Sequence, residues 1–245
     1  MSELPHIYVI HLPRRTNRYE QFQSAWTSAG LPASNIHLHW FDAVEGVKLP
    51  TAAFTGFHTV ARTHKARAGR LGAYLSHTGA IAAAIAANHF PLLILEDDAV
   101  PTDAQTTATL RHLFDSAPPS ANLLYFGALP VKDRKADKEF CIRRSTVKRT
   151  RERKTTRKQG REWTPLTATP DVKLYGGHAY GFRTAEAAQH VLTELQKSRI
   201  TFDSALVRYQ KKYPKKVAVL CPFIFHQAEG YSNIEGAVRW RAPSK

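Results

Sequence analysis

The sequence predicts an α/β fold: an open, mostly parallel sheet with helices on both faces. Three observations lead there. Short apolar, β-rich runs alternate with segments of helical period through the first 130 residues, the pattern of strand and crossover helix. Several runs end abruptly in acids or glycine, as strands do where their carboxyl ends open into loops. At 245 residues the chain is long enough to bury the core of one large domain.

Residues 6–12 (HIYVIHL) read as a buried first strand, ended by Pro13. Tyr19, Phe22, Trp26 and Ala29 then recur at helical spacing, with Thr16 as the expected cap and Gly30 as the stop. Residues 37–41 read as a second strand, and Asp42 to Gly46 as the loop at its carboxyl end. Residues 70–89, rich in Ala and Leu with Tyr74, Ile81 and Ile85 on one stripe, predict a long helix up to Pro91.

Residues 91–95 form the next strand, which runs directly into Glu96-Asp97-Asp98. A helix over 106–115 and a strand over 122–126, ended by Gly127, complete the first half. Further on, the glycines of residues 172–182 predict a bulge or a close backbone approach. Helices over 185–197 and 202–211 and a strand over 217–225 follow.

Charge interrupts the alternation. The whole chain carries a net +15, and residues 132–161 hold 14 basic and four acidic residues, a net +10. This stretch has no apolar period to bury, so an exposed basic insertion is expected, with a field that attracts polyanions. Cys141 and Cys221 form no metal-type or disulfide-framework spacing. With no signal-type leader and no apolar run of membrane-spanning length, a cytoplasmic protein is expected.

Adjacent carboxylates at a strand end repel one another unless a cation compensates. Hard oxygen ligands suit Mg²⁺ or Mn²⁺, which bind through one or two carboxylates and a substrate's phosphates. The same acids could instead cap a helix or pair with the surplus arginines.

Seven blocks favour the metal reading: YVIHLPRRTNRYEQF (from Tyr8), FDAVEG (from Phe41), LGAYLSH (from Leu71), LLILEDDAV (from Leu92), LYGGHAYGF (from Leu174), TFDSAL (from Thr201) and PFIFHQAEGYSNIEG (from Pro222). In this order they resemble glycosyltransferase family 25, the lipopolysaccharide and collagen galactosyltransferase group. The resemblance implies a single Rossmann-like domain of GT-A type, a divalent metal at the acids, a UDP-sugar donor and transfer with inversion. Asn233 departs from it, standing where the family usually has Asp.

The resemblance divides the chain into a nucleotide-sugar-binding half (1–131), the basic insertion (132–161) and an acceptor and sugar-pocket half (162–245). It places the donor among Leu12, Arg14, Arg18, Asp42, Ser76, His77, Asp97, Gly177, His178 and Gln227, and the metal on Glu96, Asp98 and His226. The arginine forks match phosphate oxygens. Asp203, at a helix start, is the first candidate for the base that inverting transfer requires, and Glu229 the second; Asp203 could equally serve as an N-cap.

The acceptor is read from charge. Arg149, Arg151, Arg153, Lys154, Arg157 and Lys158 would contact a polyanion. Mixed Arg, Thr and Lys without aromatic residues suits nucleic-acid backbone, with a hydroxymethylated base presented to the pocket. Lipopolysaccharide at a membrane surface is the other enzymatic reading, but the insertion lacks the apolar face expected of a membrane-lying helix, which favours DNA. A third reading, an inactive nucleic-acid-binding module, conflicts with the intact acidic triplet and Gln227.

Overall fold

The computed structural model describes residues 5–30, 37–61, 63–102, 106–130, 161–166, 173–228, 230–232 and 237–239. The basic residues 132–160, Cys141, Glu229 and Asn233 lie outside this set.

The first strand, β1 (His6–His11), leads into helix α1 (Thr16–Ser28). Thr16 is already helical; Arg15 occupies the cap position and no side chain caps the helix. Strand β2 (His37–Asp42) includes Asp42, one residue beyond the expected end. Helix α2 (His64–Ala87) starts six residues before the expected position. Its cap is Thr63, whose hydroxyl accepts the Ala66 N–H, a signal masked in the sequence by the basic residues that follow it. Asn88, left-handed at φ 53°, closes the helix.

Strand β3 (Leu92–Glu96) follows, then the short β4 (Ala99–Pro101), helix α3 (Thr106–Ser116) and strand β5 (Leu123–Pro130), which continues past Gly127. The second half holds β6 (Glu162–Pro165), β7 (Leu174–Phe182), α4 (Ala185–Ser198), α5 (Phe202–Lys212) and β8 (Val217–Cys221). The apolar run expected over 217–225 is two elements: it breaks at Pro222 and resumes as β9 (Phe225–Gln227). Hairpin strands β10 (Gly230–Ser232) and β11 (Ala237–Arg239) close the described chain.

Seven strands form one sheet in the order β2-β1-β3-β7-β5-β8-β6. β2, β1, β3, β5 and β8 point one way; β7 and β6 oppose them. The sheet is therefore mixed but mostly parallel, as the alternating pattern predicted. Period-two alternation sends side chains to two buried layers. Tyr8, Ile10, Leu92 and Ile94 pack with residues of α2, α4 and α5, while Ile7, Val9, Leu93 and Leu95 pack with Phe22 and Trp26 of α1 and Leu110, Leu113 and Phe114 of α3. Helices thus cover both faces.

Two glycines explain two of the sequence blocks. Gly46 of FDAVEG and Gly72 of LGAYLSH meet backbone to backbone, and a Cβ on either would collide with the other segment. Ser76 bolts the same contact, accepting the Val44 N–H at 2.8 Å and donating to the Gly72 carbonyl at 2.7 Å.

Candidate active site

The parallel strands β1, β2 and β3 end together, with His11 in register with Asp42 and Ile10 with Glu96. The crevice outside such carboxyl ends is where open α/β sheets bind ligands. Glu96-Asp97-Asp98 occupies it, held by contacts from four directions.

From the α1 side comes Arg18, buried in the first helical turn. Its Nη1 lies 2.8 Å from Asp98 Oδ2 and 3.2 Å from Asp97 Oδ1. Burial opposes the guanidinium charge, but the Asp98 hydrogen bond and the acids around it push the Arg18 pKa up. From the end of β1, His11 Nδ1 lies 3.5 Å from Asp97 Oδ2. Asp97 is itself held above the usual carboxylate range by burial, against the pull of Arg18.

From β9, Gln227 donates to Asp98 Oδ2 at 3.1 Å. β9 pairs with β4, so Gln227 stands opposite Ala99 beside the acids. Its neighbour His226 is exposed; alternation along the strand turns it away. The structure thus brings Gln227 to the acids and leaves the expected metal ligand His226 outside.

From α2 comes His77, in the middle of the helix. Alternation along β3 turns Glu96 to the α2 side, where His77 Nε2 lies 3.3 Å from Glu96 Oε1. His77 Nδ1 meets the Tyr180 hydroxyl at 3.1 Å, and its ring stacks on Phe202, centroids 3.9 Å apart. Burial lowers the His77 pKa to about 4, outweighing the nearby Asp203. The imidazole is therefore neutral near pH 7. In that state Tyr180 donates to Nδ1 while Nε2–H donates to Glu96, one consistent tautomer.

Glu96 is held well above the carboxylate range, first by burial and then by Asp98, Asp203 and Asp97. Yet 32% of its side-chain surface remains accessible, so it is crowded by acids and still reachable from the cleft.

Asp203 sits in the first turn of α5. The cap is Thr201, not Asp203; the Asp203 carboxylate accepts the Gly176 N–H at 3.2 Å instead. That N–H lies in a bulge of β7. Between the pairs Gly127–Ala179 and Leu129–Tyr175, two steps along β5 face four along β7, with Gly176 at φ 111°. The same bulge seats Gly177 against His77 and Phe202, where a Cβ would come within 2.9 Å and 2.8 Å of their rings. His178 is buried on the same strand.

The remaining expected donor residues lie further out. Arg14 is half exposed and pairs with Glu45 at 3.0 Å. Asp42 is exposed at the end of β2. Leu12 follows β1, its carbonyl accepting the Arg15 N–H. The Ser76 hydroxyl is spent on the α2 contact, so it positions the loop after β2 and presents no group to a ligand. Glu229 and the basic set Arg149, Arg151, Arg153, Lys154, Arg157 and Lys158 lie outside the described residues. His11 and Tyr180 were not singled out in the sequence, although both stand inside its motif blocks.

The acidic triplet, braced by Arg18, thus stands where open α/β sheets take their ligands. Residues 4–206 match the profile of glycosyltransferase family 25, described as a lipopolysaccharide biosynthesis protein. The chain belongs to that family and is a glycosyltransferase. The closing block, with Gln227, lies beyond the matched residues. In three dimensions the chain is similar to the crystal structure of a glycosyltransferase involved in the glycosylation of the major capsid of PBCV-1 (TM-score 0.47, 11% identity, 95% of this chain and 96% of that one covered). No functionally curated protein matches the sequence. No helix among the described residues is long and apolar enough to cross a membrane.

Proposed function

We propose that the protein transfers a hexose from a UDP-sugar to a hydroxyl of a polyanionic acceptor, with inversion at the anomeric carbon and with a divalent cation at Glu96 and Asp98. The observation that carries the cation is at Asp98: Oδ2 takes both Arg18 and Gln227, whereas Oδ1 is buried with no hydrogen-bond partner. A buried carboxylate oxygen left unpaired is costly, and the strongly raised Glu96 beside it is a second acid in need of positive charge. Hard oxygen donors of this kind fit Mn²⁺ or Mg²⁺. The cation would neutralise charge developing on the departing diphosphate.

The chain's own groups supply the rest. Arg18 fixes Asp97 and Asp98, and the neutral His77 orients Glu96 through its Nε2–H. Asp203, its rotamer set by the Gly176 N–H, takes the proton from the acceptor hydroxyl. The oxygen attacks the anomeric carbon from the face opposite the diphosphate, the bond to the diphosphate oxygen breaks, and UDP leaves. Arg14 and the Gly177–His178 bulge lie on the donor side of this reading, with residues 1–131 holding the nucleotide and 162–245 shaping the sugar and acceptor pocket.

An anionic glycan of the lipopolysaccharide type is the acceptor best supported, by the family's description together with the +10 of residues 132–161. The lack of an apolar period in that stretch supports a second reading, hydroxymethylated DNA. UDP release from UDP-galactose and UDP-glucose with Mn²⁺ tests both, using de-glycosylated lipopolysaccharide, hydroxymethylated duplex and unmodified duplex as acceptors. Stimulation by the glycan alone supports the first, and by the modified duplex alone the second. No UDP release with any acceptor or metal would overturn the proposal.

A further inference from the structure

A second cluster of metal-type ligands lies at the other end of the same strands. His6 opens β1, His39 lies on β2, and His89 stands between α2 and β3. Five residue steps separate His6 from His11, so this cluster is about 16 Å from the acids. One ring nitrogen from each of the three histidines can be chosen so that all lie within 4.8 Å of one another. His6 Nδ1 and His39 Nε2 are 3.0 Å apart, close to the ~3.3 Å between two ligands on one tetrahedral zinc with ~2.0 Å bonds. All three side chains are part-exposed, so an ion can reach them.

We propose that His6, His39 and His89 form a binding site for a zinc-type transition-metal cation, with a water molecule as fourth ligand. Three imidazoles are the ligand set of such ions, and are unlike the oxygen donors at Glu96 and Asp98. His89 arrives already oriented. The Tyr8 hydroxyl holds its Nδ1 at 3.0 Å, leaving Nε2 to offer, as outer-shell partners commonly arrange for metal-bound histidines. The rings are stacked: His6 on His89 at 4.1 Å and His39 on His89 at 4.6 Å between centroids. Stacked rings carry near-parallel lone pairs, so binding one ion requires the His6 and His39 rings to turn about χ2 while His89 keeps its Tyr8 contact. Burial and the neighbouring His89, His37 and His39 lower the His6 pKa to about 4, so a lone pair is available there at neutral pH. Joining β1, β2 and the α2–β3 connection, the ion would staple three segments distant in sequence.

The test is zinc titration calorimetry and thermal denaturation of the full chain at pH 7.5, with Co²⁺ absorption as the geometric probe. All three are run on the unaltered protein and on His89→Gln, His39→Asn, Tyr8→Phe and Asp98→Asn. The expected result is one saturable site with tetrahedral Co²⁺ bands, and a zinc-dependent rise in Tm, both retained in Asp98→Asn. His89→Gln and His39→Asn each weaken zinc more than about 100-fold, and Tyr8→Phe about 10-fold. Circular dichroism identifies any variant that fails to fold, and the second histidine variant then carries the comparison. Unchanged zinc affinity in a folded histidine variant overturns the proposal. So does loss of the site in Asp98→Asn, or absence of saturable binding in the unaltered protein. None of these readouts depends on sugar transfer.

Discussion

Arg18 Nη1 sits 2.8 Å from Asp98 Oδ2 with both side chains about nine-tenths buried, and the same nitrogen also reaches Asp97. One guanidinium therefore balances part of a three-carboxylate cluster. Removing one partner of a buried ion pair leaves the other charge uncompensated, at a cost of about 3–5 kcal/mol. Arg18→Ala is expected to lose stability on that scale in urea denaturation, and to regain part of it in millimolar Mn²⁺ as the cation takes over the compensation. A variant as stable as the parent in the absence of metal would show that Arg18 does not brace the acids.

Asp98 carries the unpartnered oxygen, so its replacement separates metal chemistry from scaffold. Asp98→Ala is expected to reduce metal-dependent UDP release by about 10³-fold. Stability should fall because Arg18 loses its shorter partner, but Arg18 keeps Asp97 at 3.2 Å, and circular dichroism checks that the variant is folded. Turnover that persists with its metal dependence intact would remove Asp98 from the cation site.

The sheet and its acidic centre were legible because both depend on short-range patterns. Apolar runs ending in Pro13, Asp42 or Glu96 placed β1, β2, β3 and the triplet to within a residue or two. What stayed hidden is tertiary. Thr63 starts α2 ahead of a basic stretch, so the helix looked six residues shorter and His77 looked closer to its start. The opposite orientations of His226 and Gln227 follow from the pairing of β9 with β4, which no local pattern announces. Pro222 divided a run whose composition is continuous. Ser76 looked like a ligand group because its packing partner, the Val44 N–H, is 32 positions away. The histidine cluster joins residues 6, 39 and 89, which become neighbours only through the pairing of β1 with β2 and β3 and the return of the chain from α2.

Gly177 tests whether the bulge positions His77. A Cβ there would meet the Phe202 ring at 2.8 Å and the His77 ring at 2.9 Å, and those rings are buried and stacked on each other. Overpacking of this kind costs about 1–3 kcal/mol. Gly177→Ala is expected to lose that much stability and also to lower kcat by displacing the Nε2–H from Glu96. A drop in Tm with unchanged kcat would place His77 outside the reaction.

Glu194 gives a pH dependence separate from the active site. It joins α4 to α5, with Oε1 2.6 Å from Lys197 Nζ and Oε2 2.7 Å from Lys212 Nζ. The Lys197 and Lys212 hydrogen bonds lower its pKa to about 2, against about 4.3 in an unfolded chain. The unfolded state therefore takes up this proton first as pH falls. The contribution is fully present above the unfolded value, declines as pH drops below about 4.3, and is lost through about pH 2. Solvent and salt screen the exposed lysines, so the effect is small and is best read as a difference between proteins. Urea midpoints of the parent and Glu194→Gln should differ at pH 6, draw together as pH falls below about 4 and have lost most of the gap only near pH 2, with 1 M NaCl narrowing the gap at pH 6. A gap that stays constant across this range would mean that the carboxylate's charge does not hold the two helices together.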